Sequence, residues 1–485
     1  MAIIYFSSLM GMILASLFSK GLYFDHDFQG YHVVIQLLFL LLLIRELLYK
    51  ENVTTSWYGL FVMSVLYTIP ALLYPERIPV IFEGVKRVTS YVSVFIMFIF
   101  CFKHTPSLKK YLPHGIHSIG VTLVGHMILV DVGFIHDPFA VSSNDFAGLL
   151  EYPNTFGAIM AMLVLFTLID LQSRSSIHTT SLNILMLLSY SYMLVESGSR
   201  GAIVAFSITF LSYLFTIPSK NQIKAILILL LNILFVFIVL WLRAQYGPRV
   251  SYAGLVMIPM VFLILWMKDV GNHYLNIEIT WPPYLLPSFL IVAIVTFISS
   301  VITRAGIFNW LPLTVQNQLV QWFQFDSFYA RLTYYHDAFK ILSESPWVGL
   351  GRGAWQANYQ AVQSDSYLSN EIHNGFLTIV LETGWIGFIV MAFVVLSISY
   401  SIYQSNRVIH LYLWPMWLIV IHSAIDFNFS YGSIWFLIIL LIAPMVSDVL
   451  PFRCLSREGN TVSRKTVTIV MFGLAVSYSL FTILY

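Results

Sequence analysis

The sequence predicts an all-α, polytopic membrane protein, and two observations support that prediction. Of the 485 residues, 58% are hydrophobic and only 10% are charged, and the mean hydropathy is +0.80. Soluble domains carry about 25% charged residues, so this chain has too few to cover its apolar surface in water. In addition, apolar runs close to the length of a membrane-crossing helix, about 20 residues, recur from one end of the chain to the other.

The apolar runs divide the chain into three parts. Because several runs are short, we expect about 12–15 transmembrane helices. The first run lacks a basic segment and a small-residue cleavage site, so we expect it to be retained as a span. Residues 1–303 would form an N-terminal bundle of about 11 spans, residues 304–375 one long loop, and residues 376–485 the C-terminal helices. The predicted spans lie near residues 3–19, 33–49, 57–74, 88–102, 115–134, 155–171, 180–196, 201–217, 223–242, 253–267, 284–303, 376–399, 408–425, 432–449 and 466–484.

Basic residues indicate the orientation of the chain. Loops that would be cytoplasmic if the N-terminus is cytoplasmic hold more lysine and arginine than the short loops on the other side, for example Lys109, Lys110, Arg464 and Lys465. We therefore predict a cytoplasmic N-terminus and a long extracytoplasmic loop. The net charge of +2 says nothing about nucleic acid, and no basic cluster argues for a nucleic-acid partner, so we expect none. The two cysteines fall near predicted cytoplasmic span ends, which does not indicate a disulfide framework.

The stretch from residue 331 to residue 387 is the one long interval that is neither a span nor a short turn. It places Arg331, Arg352, His373 and Asn374 in one polar segment that leads directly into an apolar helix. A loop of this length in a membrane protein is usually functional. In the predicted topology it shares the outer face with three other motifs: EYPNTFGA at 151–158, SGSRGA at 197–202 and HSAIDFNF at 422–429.

Arg200 and Arg331 are candidate anion-binding residues. Arg200 lies in a Gly-Ser-Arg-Gly turn at the predicted outer start of a span, where glycines permit close approach and the helix start adds positive charge. An interfacial anchor is the alternative for Arg200, and the tight turn favours the functional interpretation. Arg331 begins a helical pattern in which Tyr335 shares its face.

His373 and Asn374 lie at the predicted start of the next span. A helix N-terminus favours a neutral imidazole, the form that a general base needs. A capping pair with Asn374 as the cap explains the same residues equally well. His422 and Asp426 have i,i+4 spacing and would share one helix face, where either a structural or a catalytic pair fits. A metal site would need a third ligand, which the sequence does not single out.

The long loop also contains a glycine pattern and several aromatic residues, and neither is assigned a catalytic role. The pattern Gly349-x-Gly351-x-Gly353 is not a nucleotide loop, because no strand precedes it, and it is predicted to form a tight turn. The aromatic residues Trp347 and Trp355, together with Tyr359, could stack on sugars or pack the loop onto the membrane, and the sequence does not decide between these two roles.

The chain resembles the O-antigen ligase and O-antigen polymerase superfamily. The matching segments occur in the family's order and are YPNTFGA at 152–158, SRGA at 199–202, Arg331 followed by SPWVGLGRGAW at 345–355, HNGFLTIVLETGWIG at 373–387, and HSAIDF at 422–427. The run from the glycine turn through ETGWIG is the most specific of them.

The resemblance implies a GT-C-type membrane glycosyltransferase at the outer side of the cytoplasmic (inner) membrane. Its donor would be a glycan on undecaprenyl diphosphate, and it would invert the anomeric centre without a metal or another cofactor. By the matching motifs, Arg200 and Arg331 would bind the diphosphate and His373 would activate the acceptor hydroxyl. Further candidates in these segments are Asn154, Tyr335, Arg352, Asn374, His422 and Asp426.

We therefore expect a polysaccharide polymerase that joins lipid-linked repeat units. The alternative is a ligase that transfers a finished lipid-linked glycan to a lipid core, a cell-wall polymer or a protein. The motifs do not encode the acceptor. A lipid-linked sugar flippase ranks third. Such a transporter would show paired half-repeats and polar residues at mid-membrane, whereas this sequence shows no repeat and its polar clusters are predicted at the outer surface. The expected partners are the lipid-linked glycan, the acceptor glycan, membrane lipids, a flippase and chain-length regulators.

Overall fold

The computed structural model of the protein describes most of the chain. The described residues are 1–49, 59–173, 177–265, 281–313, 326–404 and 411–449, with single positions at 316, 320, 473, 476, 479, 482 and 483.

Sixteen α-helices dominate the described part of the chain. In chain order they are α1 (Ala2–Phe18), α2 (Asp25–Tyr49), α3 (Val62–Leu73), α4 (Ile78–His104), α5 (Leu112–Asp131), α6 (Pro153–Ser173), α7 (Ile177–Glu196), α8 (Arg200–Leu214), α9 (Ser219–Tyr246), α10 (Pro248–Leu265), α11 (Leu285–Thr303), α12 (Asp326–Leu342), α13 (Ala354–Val362), α14 (Gly375–Tyr403), α15 (Leu413–His422) and α16 (Gly432–Val449). Two short antiparallel strands, β1 (Val141–Ser142) and β2 (Asp145–Phe146), form a hairpin between α5 and α6, with Val141 opposite Phe146.

The prediction of an all-α, polytopic membrane protein is confirmed. Among the described residues, seven helices are long and apolar enough to cross a membrane, and several shorter apolar helices accompany them. Every predicted span up to residue 449 coincides with an α-helix, whereas the span predicted at 466–484 lies outside the described residues except for single positions. The orientation of the chain, its division into three parts and the GT-C type remain predictions.

Two helices occupy the centre of the bundle. Helix α4 is almost wholly buried and packs against α1, α2, α3 and α16. Helix α6 is equally buried and packs against α7, α8 and α15. Apolar side chains all round both helices explain this position, because a helix that is hydrophobic on every side is stable only when it is surrounded.

Residues 326–374, the longest described stretch between α11 and α14, are folded. Helices α12 and α13 share a small core that includes Ile341, Trp355, Tyr359, Ile372 and Leu381. Trp355 and Tyr359 are only 3% and 5% exposed, so neither sugar stacking nor packing onto the membrane describes them. They stabilise the segment itself, and their neighbour Trp347 is the exposed aromatic residue.

The glycine-rich turn fits into a break in α14. The break lies at Gly384, whose φ is 65°, and it leaves the carbonyls of Leu381 and Glu382 without their helical partners. The backbone N–H groups of Leu350 and Gly351 donate to these carbonyls, at 2.8 and 3.0 Å. This backbone pairing holds the glycine-rich turn against α14, the helix that begins directly after His373 and Asn374.

Candidate active site

His373 lies immediately before α14 in an unusual backbone conformation. Its φ is 57°, in the left-handed region that non-glycine residues seldom adopt. Asn374 caps the helix, since its side chain accepts from the N–H groups of Phe376 and Leu377 at 3.1 and 3.0 Å. The Tyr335 hydroxyl donates to the His373 carbonyl at 3.0 Å. The predicted cap is therefore confirmed, and Tyr335 holds His373 from the opposite side.

Asp426 gathers the other polar side chains of the site. Its carboxylate accepts from Asn154 Nδ2 at 2.8 Å, from the Tyr152 hydroxyl at 3.1 Å and from Arg331 Nη2 at 3.4 Å. His373 Nδ1 lies 3.5 Å from the same carboxylate. The structure thus brings together four residues that the sequence singled out, on three separate segments of the chain.

The charges of the site keep Asp426 ionised. Burial by itself raises the pKa of Asp426, but its hydrogen bond with His373 and the positive charge of Arg331 favour the ionised form, so that the pKa lies below its ordinary value. The pKa of Tyr152 is raised, by burial first and then by the Asp426 charge. Tyr152 therefore stays protonated and donates to the carboxylate.

Aromatic rings enclose the imidazole. The Tyr334 ring is stacked 6.1 Å from the His373 ring, and the Phe427 ring meets it edge-on at 5.1 Å. The His373 side chain is still 23% exposed. One edge of the ring thus remains open to a substrate while its Nδ1 faces Asp426.

His422 and Asp426 are not paired on one helix face as their spacing predicted. Helix α15 ends at His422, and Asp426 lies beyond it in the turn before α16. His422 Nδ1 instead meets Asn428 Nδ2 at 2.8 Å. The i,i+4 prediction was wrong because the helix stops one turn earlier than the hydropathy suggests.

Arg200 occupies the first position of α8, next to this group. Ser199 caps α8, with its hydroxyl accepting from the Ala202 N–H at 3.3 Å. Gly201 abuts His422, since a Cβ there would lie 3.1 Å from His422 Nε2. The charge of Arg200 acts on Asp145 of the hairpin. Arg200 therefore begins the helix that adjoins His422, and its charge acts on the hairpin, whereas Arg331 contacts Asp426 directly.

Part of the chain is similar to a known protein family. Residues 247–392 match the family model described as O-Antigen ligase, a range that contains Arg331, His373 and the break in α14. We refer to these residues as the O-antigen ligase domain. Asn154, Arg200 and Asp426 lie outside the matched range, although Asn154 and Asp426 are hydrogen-bonded to each other. No curated protein matches the chain.

Arg352 of the O-antigen ligase domain belongs to a second cluster of charged residues. Its guanidinium binds the Asp25 carboxylate at 2.8 Å, and Arg87 binds the same carboxylate oxygen at 2.8 Å. The charges of Arg352 and Glu382 also interact. This cluster joins the glycine-rich turn of the domain to α2, α4 and α14. Arg352 therefore helps to hold the turn against these helices.

Glu371 lies two residues before His373 and is buried. The hydroxyls of Tyr23 and Ser430 donate to its carboxylate at 2.8 and 3.2 Å. Burial raises the pKa of Glu371 to about 7. The O-antigen ligase domain therefore carries a carboxyl group that titrates near neutral pH beside its candidate base.

An apolar cavity of about 200 Å³ lies behind the site. It runs between α3, α4, α14 and α16, and its charged lining residues are Arg87, Arg352 and Glu382. Gly375, at the start of α14, also lines it. A hydrocarbon chain suits such walls, because it gains from leaving water and needs no hydrogen-bond partners.

Sequence reasoning missed two residues of the site, Tyr152 and Asn428. Each lies beside a residue that it did find: Tyr152 opens the segment that holds Asn154, and Asn428 follows Asp426 in the turn. Their proximity to the motifs was the available signal. Among the described residues, no three His, Cys, Asp or Glu side chains are placed to hold a metal ion.

Proposed function

We propose that this protein is a polysaccharide polymerase that joins undecaprenyl-diphosphate-linked repeat units at the outer face of the cytoplasmic membrane. The match to the O-antigen ligase family supports ligase- or polymerase-type function in general, with a lipid-linked glycan and an acceptor as substrates. The observation that supports the proposal is the contact of His373 with one carboxylate oxygen of the buried, ionised Asp426 and of Arg331 with the other.

His373 is the proposed general base. Its Nδ1 faces Asp426, so the neutral ring donates from Nδ1 and leaves Nε2 to receive a proton. The acceptor hydroxyl gives its proton to Nε2 while its oxygen attacks the anomeric carbon of the donor. The imidazolium that forms is stabilised by the negative charge of Asp426.

The arginines act on the leaving group. As the new C–O bond forms, the bond from the anomeric carbon to the diphosphate breaks, its electron pair stays on the diphosphate, and the anomeric centre inverts. Fixed positive charge from Arg331 and Arg200 then stabilises the transition state more than the ground state. Arg331 suits this role because its side chain is 22% exposed while Asp426 holds it in place.

The apolar cavity supports a lipid donor. It lies beside Gly375, so a chain placed in it would have its polar end near His373. We propose that part of the polyprenyl chain occupies it. The distribution of basic residues supports a cytoplasmic N-terminus and an extracytoplasmic active site, where a flippase would supply the lipid-linked units and chain-length regulators would set the product size.

The alternative is ligase-type transfer of a finished glycan to a different acceptor. The number of predicted spans exceeds the dozen usual in ligases, which favours the polymerase. Purified full-length protein, incubated with lipid-linked single repeat units as both donor and acceptor, should produce a ladder of longer lipid-linked chains. If long lipid-linked chains are consumed only when a lipid core or another acceptor is added, the protein is a ligase. Units left unchanged in both mixtures would contradict glycosyl transfer.

A further inference from the structure

The side chains around His422 determine which of its nitrogens carries the proton. The Ser423 hydroxyl donates to the Ile419 carbonyl at 2.8 Å, so the Ser423 oxygen accepts from Asn428 Nδ2 at 3.2 Å. Thr155 donates to the other end of the same amide, Asn428 Oδ1, at 3.1 Å. This amide orientation makes Nδ2 the donor to His422 Nδ1 at 2.8 Å. Nδ1 is therefore an acceptor, and the proton of the neutral ring is on Nε2.

The resulting N–H group is buried and unpaired. His422 is only 1% exposed, and its Nε2 has no hydrogen-bond partner among the described residues. Buried donors are nearly always paired in folded proteins, so an unpaired one indicates a ligand or a water that completes it.

This donor points at the start of α8. A Cβ at Gly201 would lie 3.1 Å from His422 Nε2, and Arg200 is the preceding residue. The charges of Asp426 and Arg331 also act on the imidazole. His422 therefore adjoins the start of α8, which carries Arg200, and lies within electrostatic reach of Arg331, at a helix N-terminus that favours an anion.

We propose that the Nε2–H of His422 donates a hydrogen bond to a phosphoryl oxygen of the donor lipid and thereby positions the diphosphate between Arg200 and Arg331. This inference rests on the proposed function. A neutral donor adds a third directed contact without a third positive charge close to the arginines. Gly201 suits the same role, because any side chain at that position would cover the nitrogen.

Two substitutions of His422 distinguish a hydrogen bond to the diphosphate from a purely structural role of the side chain. His422→Gln keeps an amide N–H near the place of Nε2, whereas His422→Asn keeps polar atoms only near the place of Nδ1 and loses the distal donor. A third variant, Gly201→Ala, keeps both His422 and Asn428 and covers Nε2 instead; its methyl group would also lie 2.9 Å from Ile425 Cδ1, the end of a flexible side chain that can shift. Binding of inorganic pyrophosphate and of undecaprenyl diphosphate to the purified full chain would be measured by calorimetry.

We expect His422→Asn and Gly201→Ala to weaken the binding of both probes by about tenfold or more, as for the loss of a hydrogen bond to a charged group, and His422→Gln to stay within about threefold of wild type. In the transfer reaction, the first two variants should raise the donor KM. A cooperative thermal unfolding transition would show that each variant is folded. If the His422→Asn variant does not fold, the Gly201→Ala variant still tests the role of Nε2.

The outcomes separate the inference from the proposed function. If wild type binds both probes and Arg331→Ala weakens that binding, but the Asn, Gln and Gly201→Ala variants bind like wild type, the inference about His422 is overturned and the proposed function stands. If wild type binds neither probe, both are overturned.

Discussion

Asp426 Oδ1 lies 3.5 Å from Nδ1 of His373, and this contact joins the turn before α16 to the start of α14. The same carboxylate accepts from Arg331 at 3.4 Å. One buried aspartate thus aligns the candidate base and a candidate diphosphate ligand. Each part of that arrangement makes a measurable prediction.

Asp426→Asn should lower kcat by about 100- to 1,000-fold with little change in the donor KM, because the amide cannot stabilise the imidazolium. Steady-state kinetics with lipid-linked repeat units measure this. Asp170→Asn is the matched control, since Asp170 is also buried but binds Asn183 and Tyr412 elsewhere in the bundle. An Asp426→Asn enzyme as active as the control would remove the aspartate from the mechanism.

Arg352→Ala and Arg331→Ala should fail in different ways. Removing Arg352 leaves Asp25 and Glu382 without one of their cations and should destabilise the fold by about 1.5–3 kcal/mol, the range for a hydrogen bond to a charged group, because Asp25 is 36% exposed and keeps its bond with Arg87. Arg331→Ala should keep the fold and lose activity. Thermal unfolding in detergent separates the two, and a stable but inactive Arg352→Ala protein would instead place Arg352 at the substrate.

Glu371 should make the stability of the protein depend on pH. Its pKa is raised from 4.5 to about 7, so the folded state favours the protonated form. The free energy of unfolding that this protonation contributes is fully present below about pH 4.5. It is lost as the pH rises through about 7, by about 3 kcal/mol at most. The thermal unfolding midpoint of wild type should therefore decrease as the pH is raised from 5 to 8, and the Glu371→Gln variant should show a smaller decrease. Parallel curves for the two proteins would show that Glu371 does not titrate in this range.

Gly384→Ala should detach the glycine-rich turn from α14. At this position φ is 65°, and a Cβ would lie 2.2 Å from the backbone of Trp347, which cannot move away cheaply. We expect the variant to lose activity and to expose the turn to proteolysis. Gly11→Ala, in α1, has open space around its new methyl group and is the matched control. Equal protease resistance of the two variants would contradict the role assigned to the break in α14.

The helices and much of the site could be predicted from the sequence, because hydropathy and motifs are local signals. His373, Asn374 and Arg331 were found in this way, and Tyr335 followed from helical spacing. The role of Arg352 could not be predicted, since its partner Asp25 lies in α2, far away along the chain. The geometry of His422 was also mispredicted, because hydropathy does not show that α15 ends at that residue.

The most direct test of His373 as the general base is the conversion of lipid-linked repeat units by purified His373→Ala protein. We expect a folded, membrane-inserted protein that still binds the lipid-linked donor. It should form product at least about 100-fold more slowly than wild type, because the proton acceptor is missing. Gel sizing of the lipid-linked glycans over time measures this. Product ladders that grow at nearly the wild-type rate would show that His373 is not the base.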